Sequence, residues 1–467
     1  MFTVPFRAIT VLCTIITYAF ALPKPEPVPL AEEGITDFLI VEARDELGGR
    51  MRSAPFGEPG HQFTVELGAN WIQGTQEGNG PANPILVLAR NHNLSTAESD
   101  FFTSMTTYDQ TGAVDYLDVF NNSVDAFTNL TVAAGARVPQ SLVDLTARTG
   151  YSLMDQKPKT PQEKASEYFQ FDWEYAQTPE QSSFVASSWG NNFTYNVDQG
   201  GFSGGNLFSI DQRGFKHLIQ AEAAEFLNSS QVLLNATVST IEYSDSAVSV
   251  TLTDGTKLNA KYAICTFSLG VLQNDDVRFE PALPGWKAEA IQSMTMFWFD
   301  TQYGLYADTE RGRYPVWQGL DLENFLPGSG IVFVTVTGDY SERIEALSDA
   351  QVQSEVLGVL RAMYPNVTIP DPTAFFFPRW FSDPLYRGSY SNWPASFVTQ
   401  HHTNLRASLG RLWFSGEALS EKYFGFLHGA YFEGEATGAS VAQCLKGQGC
   451  APLPHITKIT NSVGYDV

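Results

Sequence analysis

The stretch "FLIVEARDELGGR", Phe38 to Arg50, decides how this chain is read. Phe38-Leu39-Ile40-Val41 is a short continuous apolar run, the pattern of a parallel strand covered on both faces. Glu42 stands at its carboxyl end, where an acid can take the ribose hydroxyls of an adenosine. The run therefore reads as the second strand of a dinucleotide-binding βαβ unit. Such a strand needs a partner about twenty residues upstream, running into a G-x-G-x-x-G turn that lets a pyrophosphate approach a helix N-terminus. Upstream stands "FALPKPEPVPLAEEG", with no glycine before Gly34. Half of the unit is present.

The 467 residues suffice for two lobes, and 43% hydrophobic composition supports a large core. Acids outnumber bases 51 to 28, a net charge of -23, which argues against a nucleic-acid partner. Solubility, an acidic secreted glycoprotein or a cationic ligand each suit that charge.

The N-terminus, "MFTVPFRAITVLCTIITYAFALPKPEP", has Arg7, an apolar run from Ala8 to Phe20 and an A-x-A site at Ala19-Phe20-Ala21. It reads as a signal peptide over 1–21, too short for a stable membrane span, with a Pro-rich leader over 22–30. Sequons at Asn93, Asn121, Asn129, Asn192, Asn228, Asn235 and Asn366 agree with secretion to the extracellular space. Without Cys13 the chain keeps Cys265, Cys444 and Cys450. Cys444 and Cys450 can bridge if Gly447 and Gly449 turn the chain, and Cys265 in "KYAICTFSLG" reads as a buried strand thiol. No Cys/His cluster has metal spacing, and His401-His402 reads as a solvated surface pair.

Strand and helix signals alternate along the chain. "FTVELGANWIQG" reads as a strand opening into a glycine turn. "TPQEKASEYFQFDWEYA", "DQRGFKHLIQAEAAEFL", "PALPGWKAEAIQSM" and "SDAQVQSEVLGVLRAMYP" read as helical. Strands with a hairpin at Asp254-Gly255 precede Cys265, "GIVFVTVTG" is a further strand, and "RLWFSGEALS" is a strand ending at Gly416-Glu417. The last helix spans about Gly429 to Leu445.

Seven motifs in order, "VEARDELGGR", "VELGANWIQG", "DQRGF", "SLGVLQ", "YSNWP", "LWFSGEALS" and "GFLHGAYFEGE", resemble those of the flavin-containing amine oxidases, most closely the polyamine oxidases. The resemblance runs from about Ala31 to Lys446. It implies an α/β, two-lobed flavoprotein, with a discontinuous Rossmann-like FAD-binding lobe and an α+β substrate lobe. The implied division is 31–85, 205–285 and 401–446 for the FAD lobe, 86–204 and 286–400 for the substrate lobe, and 447–467 for a C-terminal tail.

The same resemblance implies that Glu42 binds the adenosine ribose and that Arg50, after Gly48-Gly49, faces the pyrophosphate. Gly68-Ala69-Asn70-Trp71 would pass under the flavin, Val238 would meet adenine through its backbone, and Glu417 would hold the ribityl or pyrophosphate region. His428 and Gly429 would aim the last helix at the flavin pyrimidine. Tyr390 and Phe426 would flank the reacting carbon of a polyamine, whose C–N bond is oxidised with oxygen to an imine and hydrogen peroxide. Glu174 matches a family acid for a distal ammonium. Where the family places a second acid, this chain has Gln73, two residues after Trp71, so the implied amine is shorter, acetylated or otherwise less charged. An amino acid or monoamine oxidase and a non-catalytic glycoprotein of the same fold are the competing readings.

Two blocks of the family pattern are missing. One is the first strand with its glycine turn, about twenty-five residues. The other is a lysine-bearing strand at "SMTMFWFDTQYGLY"; no lysine occurs between Lys287 and Lys422. Such clean losses fit either a coding sequence stripped of two blocks or a paralogue that has lost catalysis.

Overall fold

The computed structural model describes residue 30 and residues 33–98, 104–140, 142–297 and 303–456. The proposed signal peptide and all of the leader but Leu30 lie outside the described residues, as does the end of the tail.

The segment Phe38–Arg50 meets its pattern only in part: none of Phe38, Leu39, Ile40 and Val41 is buried and Leu39 is 43% exposed, where a strand covered on both faces was expected. Ile40–Val41 is a strand paired in parallel with Val232–Leu233, and Glu42 follows at its carboxyl end. A second parallel pair joins Ala263–Cys265 to Leu412–Phe414. The two pairs face the same way: Arg44 lies over the Tyr386 ring beyond the first, and Ser268 donates to the Tyr386 carbonyl beyond the second. Near the other end, Leu30 packs against the buried cluster of Trp413, Val441 and Cys444. Yet among the described residues no strand joins the two pairs. A doubly wound sheet is continuous across its first strand, so the upstream loss read from the sequence corresponds to a split in the sheet.

Four further strands, in the order 257–260, 248–252, 238–243 and 278–280, form the neighbouring sheet, with the hairpin at Asp254-Gly255 as expected. The opposite side of the molecule is built on a five-stranded sheet, ordered 332–335, 316–319, 304–307, 106–109 and 112–113. Helices Leu117–Arg137 and Pro161–Gln170 pack on each other beside it, and Thr160 with Glu163 closes a capping box at the start of the second. Its outer strand, Val332–Thr335, borders an apolar cavity of about 560 Å³ lined by Phe333, Phe375, Phe377 and Trp380.

A disulfide joins Cys444, in the last turn of the helix Leu427–Lys446, to Cys450 beyond its end, and Cys265 is a buried free thiol. The reading of His401-His402 as a surface pair is corrected. His402 is buried in the helix Thr399–Arg406 and donates from Nε2 to the Leu419 carbonyl at 2.7 Å, while His401 stays partly exposed beside Glu289. Adjacent helical residues diverge, so one of the two was carried into the core.

Lys287 is fully buried. Its ammonium donates to the carbonyls of Leu405 and Ala407 and stands 3.6 Å from the centre of the Phe414 ring. Burial pushes its pKa well below the usual lysine range. Lys287 thus ties the helix Gly285–Gln292 to the C-terminal carbonyls of Thr399–Arg406 and to the strand 412–414. Replacement by Met strands two buried carbonyls, so Lys287→Met is expected to lower unfolding free energy by about 1–3 kcal/mol in urea titration. A variant as stable as wild type would show that the tether contributes nothing.

Candidate active site

A cavity of about 430 Å³ lies where the two sides of the molecule meet. Its floor is Gly68-Ala69-Asn70-Trp71, leading into the strand Trp71–Gln73. This segment approaches its neighbours so closely that a Cβ on Gly68 would stand 1.8 Å from the Arg50 carbonyl oxygen. Only glycine fits there.

Arg50 and Glu417 meet at the cavity wall. Arg50 Nη1 is 2.8 Å from Glu417 Oε1 and also reaches the Ser389 carbonyl. The other carboxylate oxygen of Glu417 accepts from Ser391 Oγ at 2.5 Å and from the Gly425 amide at 2.8 Å. Glu417 is thereby saturated by protein donors, and Arg50 is turned toward it.

Glu174 also lines the cavity, carried by the short helix Asp172–Tyr175. That helix is anchored by Asp172, which is buried and receives Arg311 Nε and Nη2 at 2.9 and 2.6 Å. The Glu174 carboxylate takes no hydrogen bond or ion pair from any described residue, and desolvation pushes its pKa up to about 7. Gln73 lies on the same cavity, with the half-buried Tyr195 beside it.

Tyr390 and Phe426 both line the cavity, and the Tyr390 hydroxyl leans toward the Glu174 carbonyl at 3.5 Å. His428 is not in the lining. Its ring stacks on Phe426, with centroids 5.0 Å apart and planes at 18°. Its Nδ1 faces Asn83 Nδ2 at 3.3 Å and its Nε2 faces Thr194 Oγ at 3.2 Å. Burial holds the imidazole neutral, with its pKa down to about 3. The helix start at Gly429 packs against Tyr423, whose carbonyl oxygen would lie 2.0 Å from an added Cβ.

The structure thus brings together Arg50, Gly68, Ala69, Asn70, Trp71, Gln73, Glu174, Tyr390, Glu417 and Phe426. Glu42, Gly49, Val238, His428 and Gly429 lie outside that lining. Glu42 and Val238 are nevertheless neighbours through the chain, because the Ala236 amide donates to the Glu42 carbonyl at 2.9 Å. Sequence reasoning missed Trp380, Ser389 and Tyr431 in the lining and Tyr195 behind Gln73. Tyr431 stands within the motif "GFLHGAYFEGE", which could have found it, whereas the aromatic surroundings of Trp380 and Tyr195 read equally well as core.

The "Flavin containing amine oxidoreductase" family matches residues 28–442. Polyamine oxidase 1 of Zea mays is 33% identical over 457 residues, covering 90% of this chain and 88% of the maize protein. Polyamine oxidase 7 of Oryza sativa subsp. japonica is 34% identical over 440 residues, covering 87% and 89%. Among solved structures, putrescine oxidase bound to putrescine superposes with a TM-score of 0.65 at 15% identity, covering 89% of this chain and 96% of the other. Cyclohexylamine oxidase from Brevibacterium oxydans gives 0.66 at 16% identity, covering 90% and 96%. The fold is that of the flavin amine oxidases. The chain belongs to the flavin-containing amine oxidoreductase family, with FAD as cofactor.

The residues present fit one end of that cofactor and not the other. Asn70 Nδ2 and Ser389 Oγ are buried in the cavity wall with no hydrogen-bond partner among the described residues, as polar groups awaiting a ligand are. At the dinucleotide end the sequence shows no glycine before Gly34, and among the described residues no strand joins the two parallel pairs. No lysine lines the cavity.

The close approach at Gly68 gives a direct test. Gly68→Ala is expected to cost at least about 2 kcal/mol of stability, since the Arg50 backbone must move to admit a methyl group. Urea unfolding that matches wild type would mean the floor is looser than described.

Proposed function

We infer that this cavity is the amine-oxidation site of an FAD-dependent, polyamine oxidase-like enzyme. The observation that carries the reading is the Glu174 carboxylate, unpartnered among the described residues on a largely apolar cavity whose other charged groups, Arg50 and Glu417, pair with each other. A buried carboxylate without a partner is costly and is relieved by a cationic ligand. Bound FAD supplies the two-electron oxidising capacity.

The chain's own residues account for binding and orientation. Gly68 to Trp71 and Arg50 border the flavin end, with Asn70 Nδ2 and Ser389 Oγ available to its polar edge. Tyr390 and Phe426 offer ring surfaces to the reacting carbon and keep water from it. Glu174 takes the distal ammonium in a charge-assisted hydrogen bond. Arg50 and Glu417 cancel, so among the charged lining groups Glu174 alone is left to attract a cation. The favoured amine accordingly carries one cationic group besides the reacting nitrogen, as a diamine or an acetylated triamine does. Gln73, a neutral amide, adds no second charge.

Secretion and glycosylation belong to the same proposal. They are supported by the N-terminal sequence and by the exposure of Asn93, Asn121, Asn129, Asn228, Asn235 and Asn366, with Asn192 half-buried. Expression through a eukaryotic secretory route, followed by enzymatic removal of N-glycans, is expected to lower the mass of the purified protein. An unchanged mass would dismiss this part.

Glu174→Gln is expected to weaken diamine binding by about 1.5–3 kcal/mol while changing monoamine binding less, in calorimetric titration. Equal losses for both amines would remove Glu174 from recognition. Since the carboxyl must be ionised to hold a cation and its pKa is about 7, diamine affinity in wild type should rise as pH increases through that value. The rise should flatten in the Gln variant.

A further inference from the structure

We propose that this chain holds its flavin by the ring and ribityl end alone, so that the adenylate half of FAD adds little to its affinity. The inference rests on the family's cofactor and on the geometry of the cavity. The lining extends from Tyr431 and Phe426 past Trp71 and Asn70 to Arg50 and Gly48, and includes neither Glu42 nor Val238. Within that span the site is built: a glycine floor in contact with the Arg50 backbone, an aromatic wall, and two buried polar atoms, Asn70 Nδ2 and Ser389 Oγ, without partners.

Beyond Gly48 the construction stops. A pyrophosphate needs converging backbone N–H groups or free cations to offset its charge. The sequence supplies no glycine-rich turn before Ile40, and the parallel pairs 40–41/232–233 and 263–265/412–414 are not joined among the described strands. Of the nearby cations only Arg44 has no ion-pair partner among the described residues, its guanidinium lying 6.0 Å over the Tyr386 ring; the others are engaged. Arg50 pairs with Glu417, Lys216 with Glu46 at 2.7 Å, and Arg52 with Asp383 at 3.7 Å. Glu42, placed to meet a ribose, instead accepts from the Arg44 amide at 2.9 Å. Binding an adenosine diphosphate moiety here would desolvate two negative charges against the single unpaired guanidinium of Arg44, in a chain whose net charge is -23.

The test is a flavin titration of the full chain, read by quenching of flavin fluorescence, with riboflavin, FMN and FAD in parallel. The three dissociation constants are expected to agree within about threefold, and millimolar ADP is expected not to displace bound FAD. Asn70→Ala and Ser389→Ala should weaken all three ligands by the same factor, while circular dichroism confirms folding. FAD binding more than about thirtyfold tighter than riboflavin and FMN, or displacement by micromolar ADP, would overturn the proposal. If no flavin binds, the proposal also fails. Diamine binding in the calorimetric experiment reports separately on the amine site, so the two failures are distinguishable.

Discussion

The carboxylate of Glu417 is the point on which the site depends. It collects Arg50 from the turn after the first described strand, Ser391 from the strand Tyr390–Asn392, and the Gly425 amide from the approach to the last helix. These groups are remote in sequence, Arg50 and Glu417 being 367 residues apart. Burying such a carboxylate is costly unless its lone pairs are filled, and here they are filled by three segments at once. The floor at Gly68, the wall at Tyr390 and the turn before Phe426 inherit their positions from that junction.

A second constraint is charge. The substrate side buries Asp172 and Glu167 against Arg148 and Arg311, a network whose ions are all matched. Two residues from Asp172, Glu174 has no such match. The contrast within one short helix separates a structural acid from a binding acid more clearly than any motif does. Desolvation raises the pKa of both, but only Asp172 has a guanidinium to oppose it.

The sheet carries the mark of what the sequence lacks. Both parallel pairs survive, each stabilised by its own surroundings: Trp413 under the last helix, and Leu233 beside Glu42. Local packing can therefore hold the family's framework even where, among the described residues, no central strand joins the two pairs. A framework is not a cradle, however, because pyrophosphate recognition depends on specific backbone N–H groups rather than on bulk packing.

Much of the architecture was legible from local pattern. The apolar run ending at Glu42, the hairpin at Asp254-Gly255, the capped helices and the Cys444–Cys450 bridge all follow from short-range rules of periodicity, turn chemistry and spacing. The residues of the cavity were recoverable because they sit in ordered motifs, and the missing glycine turn was visible as an absence. Tertiary structure alone decided the rest. It sent His402 into the core while leaving His401 outside, placed His428 behind Phe426, and turned Arg50 toward Glu417. It also left Glu174 unpaired while pairing Asp172. Each of those outcomes depends on which side chains from distant segments compete for the same buried donor or acceptor. No local pattern encodes that competition.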